Sequence, residues 1–157
     1  MVEMLNIDGF ELDVLSERHI SDVAELEKLC FSSPMSEANI KSILVDGIGK
    51  GVVCVDTQSG AVAAYGGVIV VADEAQILNI ATHPDHRGKG LARHVLNNII
   101  DYSKVNGASF ITLEVRESNT VAIGLYISSG FCEVGRLKNY YKHPSEDALI
   151  LKREIFS

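Results

Sequence analysis

Residues 81–100 read ATHPDHRGKGLARHVLNNII, and the glycines within them join an extended segment to a long helix. Upstream, Gln76 to Thr82 is an apolar run of strand length. Downstream, Leu91, Val95, Leu96, Ile99 and Ile100 recur at the spacing of one buried helix face. Arg87, Gly88, Lys89 and Gly90 close the loop between them. Glycines at a helix start leave backbone N–H groups unshielded at the positive end of the helix dipole. With two cationic side chains beside them, they predict a phosphate or pyrophosphate site. The loop is not a Walker A sequence, because no Gly-Lys-Ser/Thr follows at the required spacing. It also departs from the dinucleotide fingerprint, since Arg93 stands where the third glycine or an alanine belongs. A glycine-rich strand-to-helix turn without a ligand is the plainer alternative.

A chain of 157 residues suits a single domain, 1–157, with one sizeable core. Hydrophobic residues make up 46% and there are only 3 prolines, so little of the chain reads as disordered. A formal net charge of −7 argues against nucleic acid as the main partner. It is compatible with steering of a cationic peptide, and equally with simple solubility. The N-terminus MVEMLNIDGF lacks a basic region followed by an apolar stretch, so no signal peptide is expected. The longest apolar run, AVAAYGGVIVVA at 61–72, is too short to span a bilayer and is interrupted by Gly66-Gly67. It reads as a strand with a bulge. Cys30, Cys54 and Cys132 are odd in number, widely spaced and set among apolar residues. They are expected to be buried free thiols in a reducing cytoplasm.

The remaining elements follow from period and punctuation. Residues 10–15 alternate as a strand, and Ser21 to Phe31 reads as a helix with Val23, Leu26, Leu29 and Cys30 inward. Pro34 breaks the chain, and Ser36 can cap a second helix to about Asp46. Residues 51–55 and 61–72 form a hairpin around Gln58-Ser59-Gly60. Gly90 to about Lys104 is the long helix, followed by a strand at 109–115 and a helix from Asn119 to Ser129. Strands at 131–136 and 148–154 complete the sheet. Some strands are separated by helices and others pair directly, which predicts an α+β fold rather than a doubly wound one.

Residues 109–131 read SFITLEVRESNTVAIGLYISSGF. Ile111, Leu113 and Val115 share one strand face; Thr112, Glu114 and Arg116 share the other. Glu114 is therefore a carboxylate amid an apolar strand, and should be paired, exposed in a cleft or functional. An ion pair with Arg116 is the alternative reading. Asn119 is placed to cap the next helix. Tyr126 lies about two turns on, hence on the same face, where it is either a core tyrosine or part of a site. Cys132 has no paired histidine to activate it as a nucleophile. His83 and His86 have metal-ligand spacing without a third ligand, so a solvated loop is expected and no metal. Arg136, Lys138 and Lys142 form a local basic patch.

Together these residues resemble a known family. Arg87, Gly90 and Ala92 fit the Arg-x-x-Gly-x-Ala loop of the GNAT acetyltransferases, and LEVRESNTVAIGLYISSGF resembles their LEVR-x-SN-x-x-A-x-x-LY-x-x-x-GF signature. Three further stretches are similar to the RimI-type ribosomal-protein-alanine N-acetyltransferases: ILNIATHPDHRGKGLA, CFSSPMSE at 30–37, and NYYKHPSEDALILKR at 139–153. The resemblance covers most of the chain from residue 30 onward. It implies a mixed, mostly antiparallel sheet of six to seven strands flanked by about four helices.

The resemblance also assigns residues. The backbone of Ile80, Ala81 and Thr82 would pair with the pantetheine arm of acetyl-CoA. The amides of Arg87, Gly88, Lys89, Gly90, Leu91 and Ala92 would hold its pyrophosphate, with Asn119 and Tyr126 also at the cofactor. Glu114 would be the general base and Tyr126 the general acid. Phe31, Met35, Ser36, Glu37, Asn139, Tyr140 and Tyr141 would line the substrate side. The implied partner is a protein N-terminus, that of a small-subunit ribosomal protein, with no nucleic acid or membrane and a monomer or weak dimer in the cytoplasm. The chemistry is consistent with an N-terminal acceptor: an α-amine near pKa 8 needs about 2.5 units less help than a lysine near 10.4, ~3.5 kcal/mol. A GNAT acting on a small amine or a lysine side chain, and a CoA-binding module without turnover, are the alternatives. Met35 stands where the family usually has tryptophan, which predicts a reshaped substrate pocket.

Overall fold

The computed structural model describes residues 6–155. In chain order the elements are β1 (Asn6–Ile7), β2 (Phe10–Val14), α1 (Ile20–Cys30), α2 (Glu37–Ile40, continuing as a wider π-type turn through Lys41–Val45), β3 (Gly49–Asp56) and β4 (Val62–Val71). They continue as β5 (Glu74–Thr82), α3 (Leu91–Val105), β6 (Phe110–Arg116), α4 (Thr120–Ser128), β7 (Cys132–Tyr141) and β8 (Glu146–Glu154). The strands form one sheet in the order β1-β2-β3-β4-β5-β6-β8-β7, and only β5 and β6 run parallel. Seven strands have five residues or more, as expected; the two-residue β1 is an addition at the edge. The expected terminus lacking a signal sequence lies largely outside the described residues.

The sheet separates two cores. Leu91, Val95, Leu96, Ile99 and Ile100 of α3 are all buried against one face, as their spacing predicts. On the other face α1 and α2 bury Val23, Ala24, Leu26, Ile40 and Leu44 against Val53 and Tyr65. The glycine pair in β4 is explained by both layers. A Cβ on Gly66 would meet Val95 Cγ1 at 2.7 Å, and one on Gly67 would meet Leu44 Cδ1 at 3.0 Å. Helices on both faces approach the strand where it has no side chains.

Several local readings are corrected. The glycines are not themselves the bulge. The extra residue of β4 is Ala63, opposite Cys54 and Val55, and the irregularity beside Gly67 belongs to β5, where Leu78 is inserted. Leu29 is exposed rather than inward, because α1 turns Ile20, Val23, Ala24 and Glu27 to the sheet instead. β7 runs to Tyr141 rather than stopping near Arg136, by absorbing two extra residues between Leu137 and Tyr141 against β8. Only Cys54 is buried, its thiol pushed up to about 11 by desolvation; Cys30 is half-buried and Cys132 is exposed on the edge strand.

Candidate active site

The parallel pairing of β5 and β6 covers only Glu74–Gln76 against Phe110–Thr112. Beyond that point the two strands part, and a split opens in the middle of the sheet. One wall is the second half of β5 and the other is the end of β6 with α4 behind it. The outer part is a cleft of about 640 Å³ that reaches the start of α3, and the inner part is a chamber of about 190 Å³. Cys30, Phe31, Ile80, Arg116, Asn119 and Tyr126 border both, so the two parts are continuous.

The outer cleft is built from backbone. Gly88 and Gly90 have φ of +80° and +78°, and a Cβ on either would enter open space. Gly90 is the N-cap of α3 and offers no side-chain cap. The first N–H groups of a 15-residue helix are thus left facing an open cradle. Arg87 and Arg93 border the same cleft. Of the residues assigned to the cofactor, Ile80, Ala81, Thr82, Arg87, Gly88, Gly90, Leu91, Ala92, Asn119 and Tyr126 all border it. Lys89 does not: its ammonium lies 5.3 Å from the Phe10 ring centre and 3.3 Å from His86 Nδ1. The Asn119 side chain caps α4 through Ala122 N–H at 3.2 Å.

The inner chamber is built from side chains. Glu114 and Tyr126 both border it. Glu114 accepts a hydrogen bond from the Tyr140 hydroxyl at 3.0 Å and makes no ion pair with Arg116. Tyr126 is buried with its ring edge-to-face on Phe131, and burial pushes its hydroxyl well above the usual tyrosine range. Its hydroxyl has no hydrogen-bond partner among the described residues.

Arg116 acts instead as a clip. It donates to Ser32 Oγ, to the carbonyls of Lys142 and Pro144, all at 3.0 Å, and to Glu146 Oε1 at 3.1 Å. Its guanidinium also lies 4.4 Å from the Tyr141 ring centre. One side chain therefore ties the α1–α2 loop to the β7–β8 turn across the chamber. Hydrogen bonding from Ser118 and then Arg116 holds the Glu146 carboxyl below its ordinary range. Tyr141 is pushed up to about 12, mainly by desolvation and then by the nearby Glu114 charge.

The bulge in β7 explains how two adjacent tyrosines serve one site. Asn139 takes φ +52° and its N–H is held by Asp147 Oδ1 at 2.9 Å. The kink sets Tyr140 against Glu114 and Tyr141 into the chamber wall, their rings edge-to-face. Of the residues assigned to the substrate side, Phe31 and Tyr141 border the chamber. Asn139 and Tyr140 stand behind it, and Ser36 and Glu37 lie at the start of α2, where Ser36 Oγ caps Asn39 N–H at 3.1 Å. Met35 packs into the α1–α2 core near Tyr65, away from both cavities. The methionine that replaces the usual tryptophan is therefore core filling in this structure.

The sequence reading missed Leu78, Asn79 and the clip role of Arg116; Ser32 lies in the loop from Phe31 to Glu37 that the resemblance sets on the substrate side. Ser32 and Arg116 are 84 residues apart, so no local pattern joins them. Among the described residues no group of three or more His, Cys, Asp or Glu could hold a metal. Nor is any helix long and apolar enough to cross a membrane.

A split sheet beside an uncapped, glycine-led helix start is an arrangement suited to a phosphate-bearing ligand, with a carboxylate and a tyrosine bordering the inner end of the same split. Residues 20–131 match the acetyltransferase (GNAT) family, and the chain belongs to it as an acetyl-CoA-dependent N-acetyltransferase. The chain is 44% identical over 101 residues to the ribosomal protein bS18-alanine N-acetyltransferase of Escherichia coli K12, covering 63% of this chain and 68% of that one. It is 36% identical over 132 residues to a putative ribosomal protein bS18-alanine N-acetyltransferase of Bacillus subtilis, covering 84% and 87%. The crystal structure of the ribosomal-protein-S18-alanine N-acetyltransferase from Escherichia coli superposes with a TM-score of 0.83 at 33% identity, over 94% of this chain and 95% of that one.

Proposed function

We propose that this enzyme acetylates the N-terminal α-amine of a protein, an N-terminal alanine of a small-subunit ribosomal protein, with Glu114 as base and Tyr126 as acid. The observation that carries the reading is that Glu114, from β6, and Tyr126, from α4, border one small chamber that opens into the glycine-led cleft. The names of the Escherichia coli and Bacillus subtilis relatives support the choice of acceptor.

Acetyl-CoA supplies an acetyl group already activated as a thioester. The open cradle at Gly88 and Gly90 suits its pyrophosphate. The half of β5 left without a β6 partner, Leu78 to Thr82, offers strand edge to its amide-bearing arm. Glu114 takes a proton from the incoming ammonium, directly or through water. An α-amine, at about pKa 8, makes that a short step. Tyr126 stays protonated at neutral pH because burial raises its pKa, so it is always loaded to donate to the departing sulfur. The same desolvation disfavours a bare thiolate, which raises the thiol's pKa along with the tyrosine's and offsets part of the uphill gap. The enzyme acts in the cytoplasm as a monomer or weak dimer.

The test is thiol release from acetyl-CoA, with product mass, for two peptides. One has a free N-terminal alanine and no lysine; the other is Nα-blocked and carries a lysine. Acetylation of the first alone is expected. Acetylation of the second alone would replace the N-terminal reading with a side-chain one.

A further inference from the structure

The most buried carboxylate of the described chain is not in the chamber. Glu27, on α1, is 0% exposed and has no cation beside it. Three donors converge on it from three separate elements. The Met35 backbone N–H reaches Oε1 at 2.8 Å, from the α1–α2 loop. The Tyr65 hydroxyl of β4 and the Asn79 side-chain amide of β5 both reach Oε2, the latter at 2.9 Å. Burial and the Glu27 charge push the Tyr65 hydroxyl far above the usual range, so it is a permanent donor.

A buried carboxylate without a counter-charge is tolerated only where hydrogen bonds satisfy it, and such charge-assisted bonds are short and geometrically demanding. Removing one partner leaves the rest unsatisfied, which makes the cluster act as a unit. What the unit holds is specific. Ile77 faces the α3 core, and strict alternation would send Asn79 the same way. The extra residue Leu78 reverses that, so that both Leu78 and Asn79 turn to the α1–α2 side. Asn79 and its neighbours Leu78 and Ile80 border the inner chamber. The other end of the cluster holds Met35, in the loop whose Phe31, Ser32 and Ser33 form another border of the same chamber.

We propose that Glu27 is the positioning residue of the acceptor side: it locks the β5 bulge and the α1–α2 loop to one another and so fixes where these two borders of the chamber stand around the peptide N-terminus. This rests on the N-terminal reading of the chamber. Glu27 touches neither substrate, and its effect runs through Met35 and Asn79. The phosphate cradle of the outer cleft is formed by Gly88, Gly90 and the start of α3, and none of Met35, Tyr65 and Asn79 borders that cleft.

The experiment compares Glu27→Met, Glu27→Gln and Tyr65→Phe with the wild type, reading the peptide KM, the acetyl-CoA Kd and hydrogen exchange at the Met35 amide. Glu27→Met keeps the length and replaces both carboxylate oxygens with a single weakly accepting sulfur. It is expected to raise the peptide KM about tenfold, to leave the acetyl-CoA Kd within about twofold, and to speed Met35 exchange at least about tenfold. Glu27→Gln keeps an oxygen for Met35 once the Asn79 amide turns over, and should recover most of the KM. Tyr65→Phe removes one donor and keeps the packing, so it tests the cluster even where Glu27→Met does not fold; a rise of about threefold in KM is expected. An unchanged peptide KM in folded Glu27→Met or Tyr65→Phe overturns the proposal. So does a loss of acetyl-CoA affinity as large as the KM change, which a merely structural role would produce. If the wild type acetylates neither alanine nor lysine peptide, the N-terminal reading fails, and Met35 exchange in the same variants still decides whether Glu27 joins loop and bulge.

Discussion

The two ends of the cleft are made of different material. The outer end, which we assign to acetyl-CoA, uses backbone: open amides at Gly88 and Gly90, the unpaired half of β5, and a helix start without a side-chain cap. The inner end, which we assign to the acceptor, uses side chains: the Arg116 clip, the Tyr140–Glu114 bond, and the Glu27 cluster. Backbone binding needs only correct φ and ψ in one short segment. It tolerates any side chain that keeps the path open. Side-chain construction needs partners brought from distant elements, and it can be retuned one residue at a time. On the proposed reading, the donor is thus served by a fixed device and the acceptor by an adjustable one. Substitutions at the two ends should accordingly separate into effects on acetyl-CoA and effects on turnover or peptide.

Glu114→Gln should produce the largest effect. It keeps the shape and the hydrogen bond from Tyr140 and removes the base, so kcat should fall by about a hundredfold or more. The acetyl-CoA Kd should stay within about twofold, since no part of the backbone cradle is touched. Equilibrium binding alongside steady-state rates checks both. An unchanged kcat would return Glu114 to a purely structural place beside Tyr140.

Gly90→Val attacks the other end. A β-branched residue at φ +78° is a genuine outlier, costing roughly 1–3 kcal/mol in local backbone strain, and its side chain fills the cradle. The acetyl-CoA Kd should rise about thirtyfold while the saturated rate on peptide changes little. Unaltered affinity would sink the phosphate-loop reading, and with it the claim that this end is made of backbone.

That difference in material also explains what could be read from the sequence. The cradle, the buried face of α3 and the alternation of β6 are local, and residues within a few positions of each other specify them. The acceptor end is not local. Arg116 looks like the partner of Glu114 two residues away, yet it is drawn to Glu146, Ser32 and the carbonyls of Lys142 and Pro144. Asn79 changes face because of one inserted residue that no period announces. Glu27 did leave a signal: it continues the Ile20, Val23, Ala24 stripe at helical spacing, so a charge sat on an apolar face. Leu29, apolar and close by on the helix, masks that signal although it is exposed.

Arg116→Met should give an intermediate effect confined to the acceptor end. The alkyl length survives, while four hydrogen bonds and the contact with Tyr141 are lost. The guanidinium is partly exposed, so its contribution is screened and the loop can partly hold without it. The peptide kcat/KM should fall about tenfold, with the acetyl-CoA Kd within about threefold. Equal losses at both ends would mean that the clip shapes the whole split rather than its inner half.

The smallest effect is expected at Tyr126, and pH separates its two possible contributions. Burial raises the pKa of this hydroxyl, which means the protonated form is favoured and the donor is lost only above that raised value. The α-amine of the peptide, by contrast, deprotonates at about pH 8. The rate at low peptide concentration should therefore rise to a plateau just above pH 8 and stay level to about pH 10, with no descending limb from the acid. Tyr126→Phe should lower that plateau about fivefold and leave its shape alone, because a donor so far uphill of a thiol contributes less than a matched acid. A descending limb near pH 10 in the wild type that vanishes in Tyr126→Phe would show a tyrosine titrating at its ordinary value. The hydroxyl would then be solvated rather than desolvated by burial, and the inner chamber would be wetter than its side-chain construction implies.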